Sequence, residues 1–420
     1  MKYKVLFFDS WKGGIHNFKR LTNSFKSASI ECLMVHLGSW GNEDELIVEE
    51  EFENLIVRDI SFYKSQDFKA ILELEKPDLV LFLSTHTFAH RAVIRYCRFL
   101  SIPTINLYHG LVRVQDVDTS KGPYKASLLA YSLFAIKRLP KMLTKTLPSY
   151  IRSLIDTKAN KNEWRQFRKN LLEIVTRPSA LRVADDATPT RCLVYVDADK
   201  QHAIKTYKIN PEQVFSVGNA DIIDFNLPAT NMGMNLPVDA TSQKYVMYID
   251  TALPVLGLIV KDHSEYIAHI LHTSKELKKQ GKELLFKPHP ETKKLVDFTQ
   301  LYKNGVIVVD NSEFMTRLSN CCAVVTEPSS LSLIPALMGM PLLLVQYPPL
   351  DSLRYGQIIL EYPRARVLND VSLLTEIIKS EQEELNSEEV LNWISDNSGP
   401  MPAADMPLRV ANHVIDLLEP

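Results

Sequence analysis

The sequence predicts an α/β protein made of two successive parallel-sheet halves, and three observations carry that expectation. Apolar runs of strand length alternate with helical patterns, the way parallel strands joined by crossover helices read. At 420 residues the chain is longer than one hydrophobic core usually grows, so two domains are the default. The aperiodic stretch Leu227–Ser242, with its prolines and glycine, separates one strand–helix series from the next and reads as a linker.

Val5–Phe8 is apolar throughout and opens the first half as a buried strand. The loop D-S-W-K-G-G then leads into a helix over Ile15–Ser27. Glu31–His36, Pro77–Leu83 and Pro103–Leu107 follow as strands, with a helix over His86–Leu100 between the last two. Arg191–Val196 and Gln213–Val217 complete this half. The second half begins with Tyr245–Ile249, a helix through Ser264–Gln280 and the strand Leu284–Lys287. Gly305–Val309, Ala323–Thr326 and Leu342–Gln346 extend it. After the proline-rich G-P-M-P-A-A-D-M-P, a helix near Leu408–Leu418 is expected to return to the first half. The expected domains are residues 1–235 and 236–404, with 405–420 as the returning helix.

A net charge of −2 argues against a general nucleic-acid binder. The five cysteines are scattered and form no C-x-x-C pair, so neither a disulfide framework nor a zinc site is expected. A reducing cytoplasm fits them. The amino-terminal apolar run is too short for a signal peptide, and no apolar window reaches the ~18 residues of a membrane span.

Two motifs carry chemistry. In E-L-L-F-K-P-H-P (Glu283–Pro290) a buried strand ends by delivering Lys287 and His289, held between two prolines that fix φ and end the ladder. Ligands of open α/β sheets bind at carboxyl strand ends, and a rigid cationic or hydrogen-bonding platform there suits a phosphate. In V-V-T-E-P-S-S (Val324–Ser330) a strand ends at Thr326, and Glu327, Ser329 and Ser330 lead into an apolar helix that stops at Gly339. Serine caps free N–H groups at a helix start, and those groups also attract anions. The bland alternatives are a plain strand exit and plain helix caps.

With these motifs the chain resembles glycosyltransferases of the GT-B type: two Rossmann-like domains facing across a cleft, with a C-terminal helix crossing back. It is most similar to the bacterial surface-polysaccharide group with K-P-H-P and a downstream Ser-Ser. That group holds sialyltransferases, polysialyltransferases, capsule Kdo transferases and polyglycerol-phosphate (teichoic acid) polymerases. Weaker echoes lie at Y-I-D-T-A-L-P (Tyr248–Pro254) and S-V-G-N (Ser216–Asn219). The resemblance implies that Lys287, His289, Glu327, Ser329 and Ser330 bind the donor nucleotide's phosphate in the second half. The acceptor would then sit in the first. It also implies that no metal or other cofactor is required, since dipoles and side chains stabilise the departing phosphate.

The first half must then supply a base. His109, in N-L-Y-H-G after Pro103–Leu107, leads: its position matches an H-G motif of the polyglycerol-phosphate polymerases, and an imidazole titrates near neutrality. Asp9 competes from the end of the first strand, although the D-D/E-G context of the sialyltransferases is missing. Gly13 and Gly14 permit close backbone approach and resemble the Gly-Gly loop of many GT-B enzymes. His16 opens the next helix as an acceptor or phosphate contact. His86 is expected as an acceptor contact at a helix start, and His90 as surface packing. The pair at i,i+4 lacks a third metal ligand.

Residues 121–170 hold twelve Lys/Arg against Asp156 and Glu163, interleaved at first with Leu, Tyr, Phe, Ile and Met. One reading is a basic amphipathic helix on an anionic membrane surface, at ~1 kcal/mol per basic residue; the other is a solvated helical insertion. The first would make the protein peripheral to the inner face of the plasma membrane.

The expected activity is metal-independent, inverting transfer of a sugar from a nucleotide donor to a hydroxyl of a surface polysaccharide or lipid-linked glycan. Y-I-D-T-A-L-P leans toward the sialyltransferase side, hence toward a CMP-activated acidic sugar. Three alternatives stand beside it: polyol-phosphate transfer of the teichoic-acid type, a UDP-sugar 2-epimerase, whose T-D-S-G-G loop parallels T-E-P-S-S, and a catalytically silent glycan-assembly protein.

Overall fold

The computed structural model describes residues 2–41, 47–110, 141–176, 185–225, 227, 232, 244–256, 259–260, 262–374, 376–377 and 387–419. The expected linker, apart from Leu227 and Met232, and the first part of the basic segment, 121–140, lie outside the described residues.

The first sheet contains β1 (Tyr3–Asp9), β2 (Ile30–His36), β3 (Glu49–Phe52), β4 (Leu55–Asp59), β5 (Leu79–Phe82), β6 (Thr104–Leu107), β7 (Arg191–Val194) and β8 (Val214–Ser216). Its order is β3-β4-β2-β1-β5-β6-β7-β8. Every pairing is parallel except β3 with β4. The second sheet contains β9 (Tyr245–Ile249), β10 (Glu283–Lys287), β11 (Ile307–Val308), β12 (Cys321–Thr326), β13 (Leu342–Val345) and β14 (Ala365–Leu368). Its order, β11-β10-β9-β12-β13-β14, is the doubly wound 3-2-1-4-5-6 pattern, and all its pairings are parallel. Chain direction around the sheet reverses between β1 and β5 in the first unit and between β9 and β12 in the second. Crevices at such points, beyond the carboxyl strand ends, are where open sheets bind ligands.

Two compact units result. One holds Met1–His109, Ala135–Ala220 and Gly399–Pro420, and the other holds Asp221–Ser398. In the first, α1 (Ile15–Ser27) buries Ile15, Phe18, Leu21, Thr22 and Phe25, a helical stripe, and Phe18 stacks on Phe7 of β1 at 4.6 Å. Outside β2 the sheet ends in the β3–β4 hairpin, and α2 (Phe68–Glu75) packs on α3 (Phe88–Phe99). The hairpin was not anticipated. Its edge strand reads Glu-Glu-Glu-Phe, which carries no apolar face, as suits a sheet edge that must not pair further.

α3 (Phe88–Phe99) is covered by α4 (Leu147–Asp156) and α5 (Lys161–Thr176), the described part of the basic segment. Tyr150 and Phe167 pack on Phe88 at 5.3 and 6.2 Å, and Arg95 reaches across to Glu163 at 2.5 Å. After β7 comes α6 (Lys200–Tyr207). In the second unit, α7 (His263–Lys278) crosses from β9 to β10, and α8 (Pro290–Leu295) follows β10 directly.

The last helix, α9 (Met406–Leu418), belongs to the first unit and packs on α1. Arg409 fastens it by donating to Val217 O at 2.7 Å and Pro400 O at 2.8 Å. Gly218, of the S-V-G-N echo, has φ +107, and a Cβ there would lie 2.8 Å from Arg409, so this glycine serves the returning helix. All five cysteines are free and buried. Among the described residues no helix is long and apolar enough to cross a membrane.

Candidate functional site

In the second unit the K-P-H-P and Ser-Ser motifs meet. A cavity of ≈180 Å³ lies beyond the carboxyl ends of β9, β10 and β12, lined by Asp250, Lys287, His289, Ser329 and Ser330, with Asn311 and Phe225 at its walls. These residues converge because β10 and β12 flank β9 in register: Lys287 and Thr326 both pair with Ile249, so both loops leave the sheet at one level.

Lys287 is 3% exposed. Its Nζ donates to Pro288 O at 3.2 Å and forms no ion pair among the described residues. Burial, helped by the Lys293 ammonium, holds its pKa down at about 8 against Asp250 and Asp310. His289 is the cap of α8, with Pro290 in the first helical position. The Glu291 N–H donates to its Nδ1 at 3.1 Å, so neutral His289 carries its proton on Nε2. Burial lowers its pKa as well, which keeps the ring neutral and Nε2–H a donor at pH 7. Asp250, which sequence reasoning passed over, is the frame. It accepts from the His289 N–H at 2.9 Å and the Ala252 N–H at 2.7 Å, tying the β9 loop to the β10 loop. The signal was there in Y-I-D-T-A-L-P, an acidic residue at a strand end.

Ser329 caps the following turn, its Oγ accepting from the Leu331 N–H at 3.3 Å, and Ser330 is exposed. The helix they start is shorter than expected. A 3₁₀ turn over Ser330–Ser332 passes into five α-helical residues, Leu333–Leu337, and Gly339 closes it at φ +80. A dipole over so few residues adds little, so the hydroxyls and backbone N–H groups are what this loop offers an anion.

Glu327, expected among the phosphate contacts, is instead fully buried beneath the cavity. Its Oε1 accepts from the Tyr248 and Tyr266 hydroxyls at 2.9 and 2.8 Å. Its Oε2 accepts from the Thr251 N–H at 3.1 Å and hydroxyl at 2.9 Å. With four donors on two oxygens it positions the β9 and β12 loops. Burial, then the Asp250 charge, pushes its pKa up to about 8, while the Tyr266 and Thr251 bonds pull it back.

In the first unit, Asp9 and His109 stand at the carboxyl ends of β1 and β6. One strand lies between those two, a separation of ~10 Å at ordinary strand spacing, so they form no dyad. His109 Nδ1 lies 3.0 Å from Leu83 O. A carbonyl only accepts, so the proton sits on Nδ1 and Nε2 keeps a free lone pair, the form a general base needs. Burial lowers its pKa although its outer edge stays exposed, so it is unprotonated at pH 7. Asp9 is 7% exposed, and burial pushes its carboxyl up to about 6 against the Ser10 and Trp11 N–H groups. Gly14 is dictated by this carboxylate, since a Cβ there would lie 2.2 Å from Asp9 Oδ2. At Gly13 a Cβ would enter the Trp11 indole, which folds over it while remaining 60% exposed.

His16 is exposed on the first turn of α1. His86 precedes α3, stacks on Tyr207 at 5.9 Å, and is held low, at about 4, by burial and by Arg91, His202 and His109. His90 corrects the surface expectation. It is 1% exposed, edge-on to Phe8 at 5.3 Å, with Nδ1 2.7 Å from Thr87 Oγ1. Its helical period places it on the core face of α3. Among the described residues no group of three His, Cys, Asp or Glu could hold a metal ion.

No protein-family model and no curated protein matches this sequence. Solved structures do match in shape. The spinosyn forosaminyltransferase SpnP aligns over 100% of both chains at 13% identity and TM-score 0.52. A variant of the wall teichoic acid polymerase TagF aligns over 100% of this chain and 89% of its own at 12% identity and TM-score 0.55. The UDP-GlcNAc 2-epimerase of Methanocaldococcus jannaschii, in complex with UDP-GlcNAc and UDP, covers 99% of this chain and 100% of its own at 12% identity and TM-score 0.51. The fold is GT-B. At these identities the likeness speaks for architecture, and the chemistry has to be argued from the cavity.

Proposed function

We propose that the protein is a glycosyltransferase that binds a nucleotide-activated sugar in the second unit and transfers the sugar to a glycan hydroxyl. The observation that carries this reading is the cavity at the β9–β12 switch point, with a buried amine that forms no ion pair among the described residues, a neutral imidazole N–H donor and two serines around one opening. Such a set matches a phosphate, and a phosphate in that place is the leaving group of an activated sugar. In the reaction a base of the first unit, His109 first and Asp9 second, takes the acceptor hydroxyl proton. The oxygen bonds to the anomeric carbon as the carbon–oxygen bond to phosphate breaks, and the electron pair leaves with the nucleotide. The side chains supply this without a metal. The cavity holds one ammonium beside Asp221 and Asp250, which favours a leaving group with a single phosphate, such as CMP, over a diphosphate. The acceptor would be a growing surface polysaccharide or lipid-linked glycan. The exposed cations of α5 (Lys161, Arg165, Arg168 and Lys169) would face an anionic lipid surface that carries it.

A thermal-shift series with CMP, CDP, UDP and GDP tests the reading. CMP is expected to raise the midpoint most, and His289→Ala to reduce the rise. No shift with any nucleotide would defeat it. UDP-GlcNAc incubated alone should remain unchanged; formation of its 2-epimer would make the protein an epimerase instead.

A further inference from the structure

Lys287 poses a problem that the phosphate reading alone does not solve. The residue is only 3% exposed, and its amine has the Pro288 carbonyl as its hydrogen-bond partner, at 3.2 Å. The charged groups around it are committed elsewhere. Both Asp250 oxygens accept backbone N–H groups of Ala252 and His289. Asp310, beyond β11, is paired with Lys293 of α8, which itself repels Lys287. His289 is neutral, and Asp221 also lines the cavity. A buried ammonium without an ion-pair partner is costly, and the group sheds its proton more readily than it would in water.

We propose that Lys287 is the charge-matching ligand of this cavity and that in alkaline solution an anion enters together with up to one proton, which the Lys287 amine takes from solvent. The proposal rests on the phosphate reading of the cavity. The step is a protonation, neutral amine plus a proton to ammonium, with no bond at phosphorus altered. In the empty site the amine titrates at about 8. A phosphate within hydrogen-bond reach adds an opposite charge and lifts that value well above 8. Binding at pH 8 should therefore take up about half a proton per anion, at pH 9 nearly one, and at pH 6.5 none from this group.

The consequence for the enzyme is directional. At pH 8 and above the anion's own arrival completes the cation, and when the product leaves, the amine can discharge again. Affinity for the anion should fall about tenfold per pH unit above 8. A conventional surface lysine would hold its affinity flat to beyond pH 10.

Calorimetry of the full-length protein with CMP, and in parallel with inorganic pyrophosphate, tests this in Tris and in HEPES at pH 8, two buffers that release very different heats on giving up a proton. The expected result is a heat that depends on the buffer and corresponds to about half a proton taken up. Lys287→Arg, whose guanidinium never deprotonates, should bind with a buffer-independent heat and lose the pH slope. Lys287→Met should weaken binding at pH 7 by about tenfold or more. Glu327 also titrates near 8, so Glu327→Gln is the control. Uptake that persists in Lys287→Arg and vanishes in Glu327→Gln overturns the assignment, as does a buffer-independent heat for the wild type. Failure of every nucleotide and of pyrophosphate to bind at any pH would instead remove the phosphate reading itself.

Discussion

Replacing Glu327 with alanine removes one acceptor pair from four donors at once. The Tyr248 hydroxyl keeps His269 Nε2 at 3.1 Å, and the Thr251 hydroxyl can turn, which leaves the Tyr266 O–H and the Thr251 N–H stranded. At about 1–3 kcal/mol for each buried unsatisfied group, Glu327→Ala should lose ~2–6 kcal/mol, much of the stability of a typical domain. Glu327→Gln keeps the shape: its carbonyl serves Thr251 and its NH₂ faces the phenols, at a cost of ~1–2 kcal/mol. The pH signature is sharper than either magnitude. The folded pKa of about 8 lies above the ordinary 4.5. Between those values the folded state holds a proton that the unfolded chain has released, so stability falls as pH rises through that window. One pKa unit corresponds to ~1.4 kcal/mol, so the wild type should shed a few kcal/mol from pH 5 to pH 8 that the glutamine variant does not. Amide exchange in peptides covering 245–256 and 321–332, corrected for intrinsic rates, reads the local stability of these loops. The advantage of wild type over Glu327→Gln should be large at pH 5 and shrink by pH 8. An advantage that is constant or grows with pH would refute the burial argument and make Glu327 an ordinary ionised carboxylate held by its four donors.

Other expectations follow from single contacts. His289→Ala should lose ~1 kcal/mol with the helix cap and about tenfold in nucleotide affinity. His289→Asn should recover the cap but not the affinity, and an asparagine variant that binds like wild type would remove Nε2–H from the phosphate site. His109→Gln is expected to lower turnover ~100-fold or more at pH 7 and Asp9→Asn less than tenfold; the opposite order in steady-state assays would make Asp9 the base. With His109 as base, turnover should fall as pH drops through the imidazole's folded pKa, below 6.5, where the lone pair is protonated. Gly14→Ala places a methyl 2.2 Å from Asp9 Oδ2 and should cost ~1–3 kcal/mol by thermal melting, with displacement of the carboxylate.

Much of the architecture was legible because the central strands are buried on both faces. Val5–Phe8 of β1, β9, β13 and all of β12 up to its closing Thr326 are unbroken apolar runs, and α1 and β9 begin and end where the pattern places them. The missed strands are β3 and β14 at sheet edges and β4, which lies next to the β3 edge and alternates buried with half-buried residues. β3 is three glutamates and a phenylalanine, and β14 exposes Arg366 and Val367. An edge strand has one partner and partial cover, so it needs no apolar run, and periodicity cannot find it.

The site divides along a similar line. Lys287 and His289 could be read from sequence because the prolines on either side restrict the backbone locally, and the geometry of a strand exit follows from nearby residues. Glu327 and His90 could not. Each looks like a polar side chain at an element's end, and whether it faces solvent depends on groups that other elements bring: the Tyr248 and Tyr266 hydroxyls for the carboxylate, the Phe8 and Phe82 rings for the imidazole. The same reasoning explains why Asp250 was passed over. Its function is to hold the His289 backbone N–H, a contact 39 residues away that exists only once β9 and β10 pair in register. Residues that touch a ligand can be guessed from local stiffness and chemistry; residues that place them are defined by long-range pairing, and here the placing residues are the buried carboxylates.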